Sequence, residues 1–138
     1  MDHPTYNILL VEDSAGDAVL ISEAFSECGY RCKLNIVGST IEAERVLSTD
    51  QFNLILCDYG SDVAAGSEAI KRLRQLSHLT PIVVFSGYPD PRPAYQAGAN
   101  AYVPKAGSLD DLYQRVRSIM QFWTSVAELP PPPQRFAN

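Results

Sequence analysis

Four short apolar runs in this chain end in groups that carry a charge or a hydroxyl, and that repetition constrains the fold more than any other feature of the sequence. Ile8-Leu9-Leu10-Val11 stops at Glu12-Asp13, Leu54-Ile55-Leu56-Cys57 at Asp58, Ile82-Val83-Val84-Phe85 at Ser86-Gly87, and Ala101-Tyr102-Val103-Pro104 at Lys105. Unbroken apolar runs of this length, rather than alternating ones, fit strands buried on both faces, as in a parallel sheet. In an open sheet of that kind the strand C-termini share one edge. Three acids, a hydroxyl and an amine would then meet there.

Segments of helical period lie between the runs. Asp17 to Cys28 places Ile21, Ala24, Phe25 and Cys28 on one face, with Gly29 where a left-handed cap is needed. Leu34 to Val37 reads as a second strand, followed by a helix capped by Ser39 or Thr40 that turns Ala43, Val46 and Leu47 inward. Ser67 to Leu76 reads as a third helix with Ala69, Ile70 and Leu73 inward and Lys71, Arg72 and Arg74 on a solvated face. Three prolines in Tyr88-Pro89-Asp90-Pro91-Arg92-Pro93 leave room only for a short fourth helix, Pro93 to Ala97, closed by Gly98. Ser108 caps a last helix whose apolar face runs from Leu109 and Leu112 through Val116, Ile119 and Met120 to Trp123. Five β and α signals in alternation predict an α/β fold, a doubly wound (βα)5 sandwich around a five-stranded parallel sheet. Its fourth helix is shortened and its C-terminal helix extended.

With 138 residues, one domain is expected over 1–127, and 128–138, with Pro130 to Pro133, is expected to be a polyproline II or disordered tail. A net charge of −5, with no basic block longer than Lys71-Arg72, argues against nucleic acid as a partner. No apolar stretch approaches a membrane span, and three cysteines without CxxC spacing argue against a disulfide framework or a zinc site. A reduced, cytoplasmic setting is expected.

Crowded carboxylates repel and need a divalent cation, and Mg²⁺, which takes oxygen ligands and bridges carboxylates to phosphate, suits them. Asp13 and Asp58 are the expected direct ligands, with Glu12 acting through water and the Gly60 carbonyl completing the set. Lys105 and the Ser86 hydroxyl would bind oxygens of a phosphoryl group, leaving Asp58 to attack as a carboxylate nucleophile.

This ordered set, Val11-Glu12-Asp13, Asp58 with Gly66, Ser86-Gly87, Ala97-Gly98-Ala99 with Tyr102, and Lys105, resembles the receiver domains of two-component response regulators from Ile8 to about Met120. The resemblance implies that Asp58 is the phosphoacceptor, Glu12 and Asp13 the metal pocket, Ser86 and Tyr102 the switch pair and Lys105 the phosphate-sensing lysine. It also implies a flavodoxin-like strand order for the sheet and a sensor histidine kinase as phosphodonor. The opening Glu12-Asp13-Ser14-Ala15-Gly16-Asp17 and the Phe122-Trp123 then Leu129-Pro130-Pro131 ending resemble the phytochrome-associated response regulators, which makes a bacteriophytochrome the expected kinase.

Some positions depart from the family pattern. Asp62 replaces a usual proline and adds a carboxylate near the pocket. Ala106 replaces the proline after the lysine, at a bond expected to be cis despite a cost of about 2.5 to 4 kcal/mol. The stretch from Ser86 to Lys105 is short by about one helical turn. Phe122, Trp123, Val126 and Leu129 either fold back or form a homodimer or partner surface with the face of helix four and strand five. The expected function is a stand-alone receiver, with no independent enzymatic substrate, that signals through protein contacts. A phosphorylation-independent scaffold or dimerisation module is the alternative, and a phosphohydrolase fits less well because Gly60 breaks its D-x-D pattern.

Overall fold

The computed structural model describes residues 3–58, 62–105 and 107–131. The elements alternate as β1 (Tyr6–Val11), α1 (Ala15–Ser26), β2 (Cys32–Val37), α2 (Thr40–Thr49), β3 (Leu54–Asp58), α3 (Val63–Leu76), β4 (Ile82–Ser86), α4 (Arg92–Ala97), β5 (Ala101–Pro104) and α5 (Leu109–Gln121). A π-helical turn, Phe122–Val126, prolongs α5. The strands form one parallel sheet, as the alternation predicts, in the flavodoxin-like order β2-β1-β3-β4-β5 that the resemblance implies.

Strand residues pack alternately into two core layers. Leu9, Val11, Ile55, Cys57, Ile82 and Val84 meet Ala43 of α2, Ile70 and Leu73 of α3, and Ala94 and Ala97 of α4. Ile8, Leu10, Leu54, Leu56, Val83 and Phe85 meet Ala18, Ile21, Ala24 and Phe25 of α1 and Val116, Ile119 and Met120 of α5. Both faces of the central strands β1, β3 and β4 are therefore largely dry, while the edge strands β2 and β5 are partly exposed.

Helix boundaries depart from expectation where a side chain caps earlier than the apolar period begins. Ser14 Oγ accepts from the Asp17 amide, so α1 starts at Ala15 and carries Asp17 in its first turn. Asp62 Oδ1 accepts from the Ala65 amide and starts α3 at Val63, four residues before the apolar pattern of that helix begins. The extra acid foreseen near the pocket is thus an exposed helix cap. α4 has six residues, with Pro93 in its first turn, and ends at Gly98 with φ 121°.

The basic triplet of α3 is not one solvated face. Arg74 is half-buried, and its guanidinium donates to the carbonyls of Gly98, Ser77, His78 and Thr80, fastening the end of α3 to the α4–β5 turn. Gly60 and the Lys105–Ala106 bond, expected as a metal ligand and a cis peptide, lie outside the described residues, as does the tail beyond Pro131. Among the described residues no helix is long and apolar enough to cross a membrane.

Candidate functional site

Strand register sets this site. Val11 pairs with Cys57, which brings Glu12 level with Asp58; Asp58 pairs with Phe85, and Ser86 pairs with Pro104. The winding reverses between β1 and β3, and the crevice at such a switch point, beyond the strand C-termini, is where open α/β sheets bind ligands.

Glu12 follows β1 and is only 4 % exposed. Its amide donates to the Val37 carbonyl, and its Oε1 accepts from the Ser14 amide at 3.0 Å. Burial first, then a hydrogen bond with Asp58 and the charge of that residue, push the Glu12 carboxyl up to about 8, against the opposing pull of the Ser14 amide and Lys105. At neutral pH it largely holds a proton.

Carboxylate oxygens of Glu12, Asp17 and Asp58 all lie within 4.8 Å of one another, close enough to hold one cation. Asp17 joins from the first turn of α1. Asp13 is exposed and is not in this group. The sequence signal for Asp17 is weak, an acid just inside a helix that leaves the functional edge, and it became legible only once Ser14 fixed where that helix begins.

Lys105 follows β5 and its amide donates to the Ser86 carbonyl at 2.9 Å, locking the ends of β4 and β5 together. Its Nζ donates to Asp58 Oδ2 at 3.1 Å. Burial alone would lower the Lys105 ammonium, yet the hydrogen bond and charge of Asp58, followed by Glu12 and Asp17, outweigh it and hold the group above its ordinary value. The side chain of Asp58 is 8 % exposed and that of Lys105 43 %, so the amine covers the acid from the solvent side.

Ser86 is buried, and its Oγ accepts from the Tyr88 amide at 3.0 Å, which leaves the hydroxyl hydrogen free to be aimed at a ligand. Tyr102 is half-buried on β5; its hydroxyl donates to the Tyr88 carbonyl and its amide donates to Tyr95 Oη. Ser86 and Tyr102 are thereby joined through Tyr88, at the wall of a depression of about 380 Å³ that also includes Lys105. On the other side of the acids a cleft of about 200 Å³ runs between α1 and the start of α5, walled by Leu20, Ile21, Phe85, Leu109 and Leu112.

Hard oxygen donors around an acid that burial has made reluctant to ionise fit a small divalent cation. The ammonium of Lys105 and the hydroxyl of Ser86 fit the oxygens of a phosphoryl group rather than the metal.

The response regulator receiver domain profile matches residues 8–117. Response regulator Rcp1 of Synechocystis sp. is 29 % identical over 140 residues, spanning 93 % of this chain and 95 % of that protein. Response regulator protein PmrA of Pseudomonas aeruginosa is 31 % identical over 130 residues, 87 % of this chain but only 55 % of its own length. Among solved structures, the phosphorylated cyanobacterial phytochrome response regulator RcpA superposes with a TM-score of 0.81 at 28 % identity, covering 93 % of this chain and 100 % of that one. The Mn²⁺-bound form of Rcp1 gives 0.76 at 28 % identity, over 91 % of this chain and 99 % of that one.

Proposed function

The chain belongs to the response regulator receiver domain family, and from that premise we propose that it takes a phosphoryl group from the phosphohistidine of a sensor kinase onto Asp58. One observation carries the proposal: a nearly enclosed carboxylate, Asp58, lies 3.1 Å from the Lys105 amine inside a cluster of acids at the switch point of the sheet. In the transfer an Asp58 oxygen forms the new P–O bond, the P–N bond to the histidine breaks, and the imidazole leaves as the neutral ring once protonated. Lys105 would exchange its contact with Asp58 for a phosphoryl oxygen, and Ser86 would turn its hydroxyl hydrogen to another.

Glu12, Asp17 and Asp58 supply carboxylates for Mg²⁺, with Asp13 and the Gly60 carbonyl as further proposed ligands. When bound, the ion neutralises charge on the phosphoryl oxygens and on the acids. Mn²⁺ in Rcp1 supports a divalent ion here, and the RcpA likeness supports a phytochrome-type kinase as donor.

The readout would pass along Ser86, Tyr88 and Tyr102. Each is tied to the next in this conformation, so moving Ser86 towards a phosphoryl group releases the Tyr88 amide and loosens the Tyr102 anchor. Exposed Phe122 and Val126, beside half-buried Trp123, offer an apolar surface for a second copy or another protein.

The test is phosphorylation by a small phosphodonor such as acetyl phosphate with Mg²⁺, followed by intact-mass measurement. Wild type should gain one phosphoryl group that alkaline hydroxylamine removes, and Asp58→Asn should gain none. Undiminished labelling of Asp58→Asn would overturn the acceptor assignment.

A further inference from the structure

Cys28 and Cys32 flank the α1–β2 connection, one just beyond the end of α1 and the other opening β2. Gly29, in the left-handed region at φ 87°, reverses the chain between them. That reversal sets the two sulfurs 3.9 Å apart, although their spacing in the sequence matches no common thiol motif. Cys28 is 2 % exposed, whereas Cys32 is half-buried and reachable from solvent. The third thiol, Cys57, is buried in the opposite core layer and cannot compete.

We propose that Cys28 and Cys32 are a two-electron redox site, a dithiol that a peroxide closes into an intramolecular disulfide across the α1–β2 connection. The sulfurs already lie in contact at 3.9 Å, so reaching bond length asks them to approach by only about 2 Å. The Cys32 thiolate attacks one peroxide oxygen, the O–O bond breaks, and hydroxide leaves to take up the thiol proton as water. The resulting sulfenic acid is attacked at sulfur by Cys28; the S–O bond breaks and the oxygen departs as a second water, carrying the Cys28 proton. Two thiols are oxidised and one hydrogen peroxide is reduced to two waters.

Burial first, then the neighbouring Cys28, pushes the Cys32 thiol up to about 12, so thiolate is scarce at neutral pH and closure is slow. The site answers sustained oxidant rather than a brief pulse. Its reach extends to the C-terminal segment: Tyr30, inside the bridged loop, packs edge-on against Tyr6 and places its hydroxyl 3.4 Å from Ser125 Oγ. Trp123 packs on the same cluster as Cys28, Tyr30 and Cys32. The bridge would fix the loop against which the π-helical turn after α5 rests.

The experiment uses the whole chain and hydrogen peroxide. Intact mass should fall by two hydrogens, and thiols titrated in denaturant should drop from the three in the sequence to one. Trypsin cuts after Arg31, between the two cysteines, so the Cys32-Lys33 dipeptide should stay attached to the preceding peptide until a reductant is added. Cys32→Ser should lose the mass change while Cys57→Ala keeps it; should Cys57→Ala not fold, the wild-type tryptic map decides alone. Closure should quicken as pH rises. Three titratable thiols after prolonged exposure, addition of two oxygens to one cysteine, or a disulfide joining two chains would each overturn the proposal.

Discussion

Glu12→Gln tests the electrostatics of the site, because Glu12 is a buried acid of the cluster that its surroundings hold protonated. Its carboxyl is raised from 4.5 to about 8 by burial and by Asp58. The folded protein therefore keeps a proton that the unfolded chain releases, and stability is full below about pH 4.5 and falls as pH rises through about 8. At 1.36 kcal/mol per pH unit the whole interval corresponds to roughly 5 kcal/mol. The cleft between α1 and the start of α5 reaches Glu12 and lets some water screen the otherwise enclosed acids, so about half of that is expected, roughly 2 to 3 kcal/mol. For a domain of this size that is a fall in Tm of about 10 °C between acid and mildly alkaline buffer. Glutamine keeps the shape, accepts the Ser14 amide bond, donates to Asp58 and has no proton to lose. Thermal melts in a chelator from about pH 5 to about pH 9 should show the slope in wild type and flatten it in Glu12→Gln. Added Mg²⁺ should restore wild-type stability most at high pH, since the ion replaces the proton. Parallel slopes for the two proteins would refute the placement of Glu12 as the buried, proton-holding acid.

Asp17→Asn should weaken Mg²⁺ binding by roughly tenfold in calorimetric titration, because one of the three clustered carboxylates loses its charge; an unchanged affinity would remove Asp17 from the site. Asp62→Ala should cost about 1 kcal/mol in denaturant unfolding and leave Mg²⁺ affinity as it was, since the carboxylate caps α3. Gly98→Ala should cost about 1 to 3 kcal/mol, because the residue sits at φ 121° and a Cβ there would meet Arg74 Cβ and Cγ at 3.2 Å.

The sheet was legible because its strands are buried on both faces and so are written as unbroken apolar runs. Ile82-Val83-Val84-Phe85, bounded by Pro81 and by Ser86-Gly87, is too short to stand as a helix, and the alternation of such runs with helical segments makes the sheet parallel. Helix starts were less legible. Val63, Ala64 and Ala65 show no apolar period, and α3 begins there because one oxygen of Asp62 captures the Ala65 amide, an event decided by a single side-chain rotamer. Arg74 was illegible for a related reason. Its place in α3 reads as outward, but the carbonyls of Ser77, His78, Thr80 and Gly98 are gathered under it only when α3, β4 and α4 are already assembled. The outward reading of the helical period carries no trace of hydrogen bonds whose acceptors come from two connections, α3–β4 and α4–β5.

The same distinction separates the acids. Glu12 and Asp58 could be paired from sequence because each is the first polar group at the end of an apolar run, and parallel register brings such ends level. Asp17 stands one helical turn beyond that rule. Its arrival at the pocket depends on the cap that begins α1 at Ala15, since a helix starting two residues later would carry the carboxylate round to another direction, about 100° per residue. A carboxylate brought in from a helix rather than from a strand can be withdrawn when that helix shifts, whereas Glu12 and Asp58 are fixed by the sheet. A cation held by these three acids would therefore sit in a site stiff on two sides and adjustable on the third. Changes at Ser14 should move Mg²⁺ affinity through Asp17 without touching Asp58.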